Sequence, residues 1–288
     1  MTSVLYDAPG PRARRRERFG SAVAALVIAV ILGAGVWYAW THGVLDPERW
    51  NVLYDPPKGQ SAADVWTSMI VRGLGATMRA AVVAAPLALL LGLVLAVART
   101  SRRAWTRLPA VVVIELFRGL PVLLMMFFGL IGFGWSAFAS VVFGLAVYNM
   151  AIFAEIIRAG LAALPRGQRE GSLAIGLTSG QTLRIVLLPQ ALRLMAPSLV
   201  AQLVVLLKDS SLGFIVGYAE LLKAIQNNAQ YFGNEYLVAL FVVGAGIYLF
   251  VNVSLSRLAL RLQRRRQAGQ TPIPPVARVG ATAGSSAV

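Results

Sequence analysis

Long blocks of apolar residues, separated by shorter polar segments, dominate the pattern of this chain. A helix needs about 20 mostly apolar residues to cross the hydrocarbon core of a bilayer. Six blocks reach or nearly reach that length, so the pattern predicts six transmembrane helices. Their bounds are Ala22–Trp40, Ala80–Ala98, Pro109–Leu130, Ala137–Ile157, Gln190–Leu207 and Tyr236–Val253.

Two polar segments refine this scheme. Val65–Arg79 is amphipathic and predicts that the second helix begins several turns earlier than its apolar block. Asp209–Glu235 is too polar to span a bilayer, although it contains the short apolar patch Leu212–Val216. We therefore expect this segment to connect the last two spans without crossing the bilayer.

The first apolar block has two interpretations. It follows a cluster of arginines between Arg12 and Arg18, as the apolar core of a cleaved signal peptide would. Its run exceeds the usual 7–15 residues of such a core. It also ends in Trp37, Tyr38 and Trp40, and aromatic residues favour the membrane–water interface. These features favour a retained helix, with the cleaved signal peptide as the alternative.

Basic residues between the blocks indicate an orientation, because cytoplasmic loops carry an excess of Lys and Arg. With the N-terminus inside, six crossings place the N-terminal tail, residues 99–107, residues 158–189 and the C-terminal tail in the cytoplasm. These four segments contain most of the arginines, whereas the opposite segments contain Arg49, Lys58 and several acids. The pattern predicts that both termini are cytoplasmic.

Composition excludes several functions. The chain is 57% hydrophobic and 14% charged, whereas soluble domains are about 25% charged. The net charge of +15 does not indicate nucleic acid, since the basic residues flank the apolar blocks without interleaved aromatics. No cysteine and one histidine, His42, predict no metal site. Neither a phosphate-binding loop nor a hydrolase motif is present, so we expect no catalytic residue.

Three regions follow from these patterns. Residues 1–64 are predicted to form a basic tail, the first helix and an extracellular loop. Residues 65–266 form the transmembrane domain. Residues 267–288 are rich in Pro, Gly, Ala and Ser and are predicted to be disordered.

The predicted cytoplasmic segment Leu164–Arg193 is the most informative one. Its apolar residues are interrupted by Gly171, Gly176 and Gly180, a pattern typical of short helices broken at glycine. Ordinary connections are short and polar, but this one keeps an apolar face. We expect that face to dock either on the chain's own helices or on a partner.

Charges inside apolar blocks cost about 2.5–3.5 kcal/mol at a helix centre, so they should face protein or water. Glu115 and Arg118 are three residues apart, as are Glu155 and Arg158, and each pair can neutralise itself on one helix face. That structural role remains an alternative to a role in transport. For the amides of Asn149 and Gln202, hydrogen bonding between helices is the commoner role.

Residues of the same segment resemble the cytoplasmic loop of bacterial ATP-binding-cassette (ABC) importer permeases. The family pattern is Glu-Ala-Ala, three residues, Gly, nine residues, Ile, one residue, Leu-Pro. Here Glu170-Gly171-Ser172 is followed by Gly176 and, at matching spacing, by Val186 and Leu188-Pro189.

Other motifs are similar to the polar amino acid branch of that family, and the resemblance runs from about Val65 to Arg266. They are FRGLP at Phe117–Pro121, AEIIRAGLAALPRGQ at Ala154–Gln168 and LLKDSSLG at Leu206–Gly213. The opening at Val4–Arg16 resembles the start of actinobacterial glutamate-uptake permeases.

The resemblance implies an all-α membrane protein: one N-terminal helix, a five-helix type I importer permease core and a cytoplasmic coupling-helix loop. It implies a non-catalytic permease subunit in a bacterial plasma membrane, importing glutamate or another polar amino acid. The implied partners are an ABC ATPase dimer that binds ATP and Mg, a second identical or related permease, an extracellular substrate-binding lipoprotein, and membrane lipid.

In the family the helix around this loop inserts into a groove of the ATPase, and here it would be Arg169 to Ser179. The residues implied to couple the two proteins are Arg169, Glu170, Gly171, Ser172, Leu173, Gly176, Leu177 and Pro189. Candidates for the translocation pathway are Glu115, Arg118, Gly119, Asn149, Glu155, Lys208, Asp209 and Ser210. Arg118 could bind the carboxylate of an amino acid and Glu115 its ammonium group. A secondary transporter or channel working alone is the alternative, although no internal repeat supports it.

Overall fold

The computed structural model describes residues 10–268, and within that range the chain forms helices and no strands. Several helices are long and apolar enough to cross a membrane. We number the main helices α1 to α9, with the bounds α1 Pro11–Thr41, α2 Ala62–Arg99, α3 Ala104–Gly119, α4 Val122–Gly132, α5 Ala137–Ala163, α6 Arg166–Ala174, α7 Ser179–Phe214, α8 Leu221–Phe232 and α9 Leu237–Ala268.

Helix α2 runs without interruption over 38 residues, which confirms the predicted extension through Val65–Arg79. It begins with a capping box, in which Ser61 and Asp64 each satisfy a backbone N–H of the other. Alanines at positions such as Ala80, Ala84 and Ala88 form its fully buried face. These small residues allow α2 to lie close against α5.

The third predicted span is not one straight helix. Helices α3 and α4 meet at a bend of 101°, at Leu120 and Pro121. Leu120 has an extended backbone (φ −93°, ψ 139°), because the proline ring disfavours a helical conformation of the residue before it. The predicted block Pro109–Leu130 is therefore two helices. Among residues 10–268, five helices are long and apolar enough to cross a membrane alone, and the bent pair is a sixth span only if it is counted as one.

Helix α5 is the centre of the bundle. Twelve of its residues are buried, and α2, α3, α4 and α7 all pack against it. Glycines make the closest contacts: a Cβ at Gly144 would lie 2.5 Å from Met126 Cγ, and a Cβ at Gly160 would overlap Met195. These helices fit together without spare volume, so any side chain at either glycine would force them apart.

Helix α1 differs from the rest because its most apolar 18-residue window has no buried residue. Its last turn leads into a short 3₁₀ helix, Pro47–Leu53, that packs on α9. The Trp50 indole donates a hydrogen bond to the carbonyl of Val44 (3.2 Å) and fixes this junction. The apolar surface of α1 therefore faces lipid or another protein.

The helical run between α5 and α7 is broken at Gly176, as predicted, whereas Gly171 and Gly180 lie inside helices. The helix in it is α6, which ends at Ala174. The expected single helix Arg169 to Ser179 is thus too long at its C-terminal side. The fifth predicted span is longer than its apolar block, since α7 begins at Ser179 and Pro189 lies within it. Most of the predicted disordered tail, from residue 269 on, lies outside the described residues.

Candidate functional site

Two ends of the bundle carry the polar chemistry. We call the end that contains Arg99 and α6 the Arg99 end, and the opposite end, which contains the N-terminus of α8, the Glu220 end. The segment from α6 through the first turns of α7 is called the α6 loop, residues 166–189. All eight predicted coupling residues lie in this loop.

The α6 loop is tied to α7 by its small polar residues. Ser172 is buried, and its hydroxyl lies 3.2 Å from Thr182 Oγ1 and 2.8 Å from the carbonyl of Arg169, to which it donates. The Gln190 side chain donates to Gln168 Oε1 (3.2 Å). These contacts hold α6 and the start of α7 as one unit. The serine that stands where the family pattern has alanine thus gains a hydrogen bond.

The turn between α6 and α7 depends on Gly176. Its φ of +90° lies in a region that residues with a side chain rarely adopt. The next residues restart the helix, because Thr178 and Gln181 form a second capping box. The helical run therefore stops at Gly176, and the capping box at Thr178 satisfies the first backbone N–H groups of α7.

The surface of the α6 loop is rich in groups that a partner could contact. Ile175 at the turn is 80% exposed, Arg169, Glu170 and Gly171 are exposed, and Leu173 and Leu177 are half-buried. Within the described residues Glu170 forms no ion pair. Ile175 and Glu170, which is unpaired within the described residues, are therefore the most accessible groups of the loop.

Charged residues from α2, α3 and α5 meet at the Arg99 end. Arg99 pairs with Glu155 and lies 3.6 Å from Glu115, while Arg118 pairs with Glu115 and Arg158 lies 2.8 Å from Glu155. The two i, i+3 pairs foreseen from the sequence are present. Arg99 joins them into a chain of five alternating charges, which we call the Arg99 network.

Sequence reasoning missed the part that Arg99 takes in this network. It placed Arg99 among the loop arginines, although α2 ends at that residue. The available signal was the run of apolar residues before it, which predicts that the side chain lies against neighbouring helices. Glu115 and Arg118 are already paired with each other, and whether they contact solute stays a prediction.

The other pathway candidates lie elsewhere. Asn149 is fully buried, and its side chain accepts a hydrogen bond from Gln202 (2.8 Å) and donates to the carbonyl of Leu145 (2.8 Å). These contacts join α5 to α7, the role that the sequence analysis named as commoner for such amides. Lys208, Asp209 and Ser210 lie near the end of α7, where the buried Ser210 donates to the carbonyl of Leu207 (2.6 Å). Gly119 lies at the bend, with open space around it.

At the Glu220 end a groove opens between α2 and the chain before α8. Its volume is about 440 Å³, and we call it the Arg72/Arg79 groove. The lining residues are Val71, Arg72, Gly75, Ala76, Arg79, Ala137, Gly217, Tyr218 and Ala219. The sequence analysis did not single out either arginine as a site residue; their signal was the seven-residue spacing, which puts both on one helix face.

Tyr218 fixes one wall of this groove. Its hydroxyl donates a hydrogen bond to the carbonyl of Ala76 (2.8 Å), and burial raises the pKa of the phenol, an effect that the nearby Arg79 partly opposes. The hydroxyl therefore stays protonated and keeps the loop before α8 against α2. Gly217, with φ +79°, provides the turn that brings the loop there.

Glu220 caps α8 from a fully buried position. One carboxylate oxygen accepts a hydrogen bond from the backbone of Lys223 (2.9 Å), and the other has no hydrogen-bond partner within the described residues. Burial raises the pKa of this carboxyl to about 6, against the lowering effect of the helix N–H groups. Among residues 10–268 no cluster of His, Cys, Asp and Glu could hold a metal ion.

These features define a multi-pass membrane protein whose helices carry an ordered loop at one end and a polar groove at the other. Residues 88–268 match the family model described as "Binding-protein-dependent transport system inner membrane component". The chain therefore belongs to this family of ABC importer permease subunits.

Individual relatives agree with this assignment. The chain is 40% identical over 83% of its length to the glutamate transport system permease protein GluD of Corynebacterium glutamicum, covering 87% of that protein. It is 38% identical over 54% of its length to the probable glutamine ABC transporter permease protein GlnP of Bacillus subtilis, covering 74% of it.

A solved structure shares the fold. The crystal structure of an amino acid ABC transporter with histidines matches 71% of this chain and 97% of its own at 30% identity, with a TM-score of 0.64. The predicted fold class, an all-α importer permease with several spans, is confirmed.

Proposed function

We propose that this chain is the permease subunit of an ATP-driven importer for glutamate or another polar amino acid. The observation that carries the proposal is the 40% identity to the glutamate permease over 83% of the chain. The second relative, named for glutamine, supports an amino acid with a polar side chain. The chain contains no phosphate-binding motif, so a partner ATPase binds ATP and Mg.

In this proposal the Arg99 end faces the cytoplasm, with both chain termini on that side. The support is the excess of arginine in the segments at that end. The Glu220 end then faces the exterior, where a binding lipoprotein delivers the solute. A second permease, identical or related, completes the pathway.

The α6 loop is the surface that we expect to dock on the ATPase. Its exposed Ile175 supplies apolar contact, Glu170 is free to pair with a basic group, and the Ser172 and Gln168 contacts make the loop stiff. Stiffness matters because a displacement at the ATPase reaches α7 only if the loop does not bend.

Reconstitution tests the proposal. The chain, its partner permease and its ATPase are placed in proteoliposomes with the binding protein outside and ATP inside. We expect uptake of radiolabelled glutamate that requires both ATP and the binding protein. Uptake driven by an ion gradient without ATP would favour the alternative, a transporter working alone.

A variant sharpens the docking claim. Glu170→Arg should weaken co-purification of the ATPase while membrane insertion stays normal. Glu17→Arg, in the first turns of α1 away from the α6 loop, is the matched control. Unchanged co-purification of the ATPase with Glu170→Arg would contradict the role given to the loop.

A further inference from the structure

Arginines on the helices of the bundle divide into two kinds. Arg99, Arg118 and Arg158 each pair with a carboxylate. Arg72 and Arg79 have no carboxylate within 4.0 Å among the described residues. No acid lines the Arg72/Arg79 groove.

We propose that the Arg72/Arg79 groove is an anion site that receives a carboxylate of the imported solute at the outer mouth of the pathway. This inference rests on the proposed function, because it takes the solute to be an amino acid and the Glu220 end to face outside. It names residues that position the solute after the binding protein releases it.

The position of the groove along α2 fits the outer opening of a transport pathway. Arg79 lies 20 residues before Arg99, so at about 1.5 Å per residue the two are separated by ~30 Å along α2, close to the thickness of the hydrocarbon core. Arg72 lies two turns further out. A guanidinium at this boundary needs water, a lipid headgroup or a protein anion around it.

The nearest acids are already engaged. Asp64 lines the neighbouring cavity together with Arg72 and interacts with it electrostatically, while its Oδ2 atom accepts from the backbone and hydroxyl of Ser61. Glu220 is fully buried below the groove and accepts from the backbone of Lys223. Arg79 instead rests on the ring of Phe138, 4.8 Å from its centroid. Its N–H groups therefore remain available.

The geometry suits a small dicarboxylate. Arg72 and Arg79 are two helical turns apart, about 10 Å along the axis, and each guanidinium can bind a carboxylate with two parallel hydrogen bonds. The wall between them consists of Gly75 and Ala76, faced by the loop residue Gly217. These small residues leave space for a ligand. The two guanidinium groups beside that space favour a solute with a net negative charge over a neutral one.

Arg72 also lies in a π-helical stretch of α2, Thr67–Leu74. Such stretches are rare and occur frequently at functional sites. The stretch ends at Leu74, between the two arginines that line the groove.

The experiment uses the complete importer complex in proteoliposomes, with glutamate uptake and ATP hydrolysis measured together. Since the binding protein captures the solute first, the KM for external glutamate should not change in groove variants. We expect R79Q to lower glutamate imported per ATP hydrolysed by tenfold or more, R72Q to lower it severalfold, and R79K to restore part of the loss. R49Q, at the same end but outside the groove, is the control and should match the parent protein.

The outcomes separate the possible anions. An unchanged ratio of uptake to ATP hydrolysis in R72Q and R79Q would overturn the site. A loss seen only in vesicles that contain phosphatidylglycerol, and absent in phosphatidylcholine alone, would assign the groove to a lipid headgroup and also overturn it. Loss of the second permease from purified R79Q complexes would show that a partner's acid fills the groove. If the parent complex imports neither glutamate nor any other polar amino acid, the proposed function fails instead.

Discussion

The Arg99 network and the Arg72/Arg79 groove use the same residue type in opposite ways. In the network, three arginines and two glutamates alternate, and every charge has a partner. In the groove, two arginines face an open cavity that no acid lines. The difference teaches that an arginine near a membrane span is not by itself a transport residue. Its role depends on whether the protein already supplies its counter-charge.

The largest effect should come from breaking the network at its centre. The side chains of Arg99 and Glu155 are only 19% and 18% exposed, and removing one partner of a buried ion pair costs about 3–5 kcal/mol. We expect Arg99→Met to lower the free energy of unfolding by about 3 kcal/mol, measured by denaturation in detergent. The control is Arg118→Met, whose side chain is 46% exposed; equal losses in both variants would contradict a central role for Arg99.

The buried acid at the Glu220 end gives the next largest effect. Because the folded protein holds the pKa of Glu220 at about 6, above the ordinary 4.5, the folded state binds the proton more tightly than the unfolded state does. Its contribution to stability is complete below pH 4.5 and is lost as the pH rises through 6. The shift corresponds to about 2 kcal/mol.

Glu220→Gln keeps the acceptor oxygen and removes the titration. We expect unfolding of the parent protein to become easier between pH 4.5 and 7, and the variant to lack that component. The measurement is the unfolding midpoint in detergent across this range. Parallel curves for the two proteins would show that burial does not hold the proton on Glu220.

A smaller effect is expected at the α6 loop. Ser172→Ala restores the residue of the family pattern but removes the hydroxyl between Thr182 and Arg169, a loss of about 1 kcal/mol. Hydrogen exchange of the α6 amides should become faster, with Ser179→Ala, which is exposed, as the control. Unaltered exchange in Ser172→Ala would mean that other contacts hold the loop.

The smallest effect should be on the stability of groove variants. Arg72→Gln and Arg79→Gln remove no ion pair, so we expect changes in the free energy of unfolding within about 0.5 kcal/mol. The same denaturation assay as for Arg99→Met applies. If either variant lost as much free energy of unfolding as Arg99→Met, Arg72 and Arg79 would be structural residues like Arg99, and the difference between the groove and the network would disappear.

Much of the fold could be predicted from the sequence, because the length of an apolar block must match the thickness of the bilayer and its periodicity shows which face is apolar. The extension of α2 through Val65–Arg79 and the helix break at Gly176 were predictable from local pattern. The 101° bend at Pro121 was not predicted, because Pro109–Leu130 was taken as one span; a proline indicates where a helix can break, but the angle depends on packing against α5.

The site was less predictable, because pairing is a property of three dimensions. The i, i+3 spacing of Glu115 and Arg118 was visible in the sequence, whereas the link from Arg99 joins residues 56 positions apart. Arg72 and Arg79 stood out only once the structure showed a groove that both line and that no acid lines. The identity of a charged residue is readable from sequence, but the absence of its partner is not.

The glycine contacts in the middle of the bundle have a mechanical consequence. A Cβ at Gly92 would lie 2.7 Å from the Phe153 side chain, so α2 and α5 cannot slide past each other without collision. Such a block responds to a push at one end by swinging, and its lever arm is long: 38 residues correspond to ~57 Å of helix. A swing of ~5° about one end then carries the other through ~5 Å, about one helical turn. A small displacement of the helices at the Arg99 end can thus change the width of an opening at the Glu220 end.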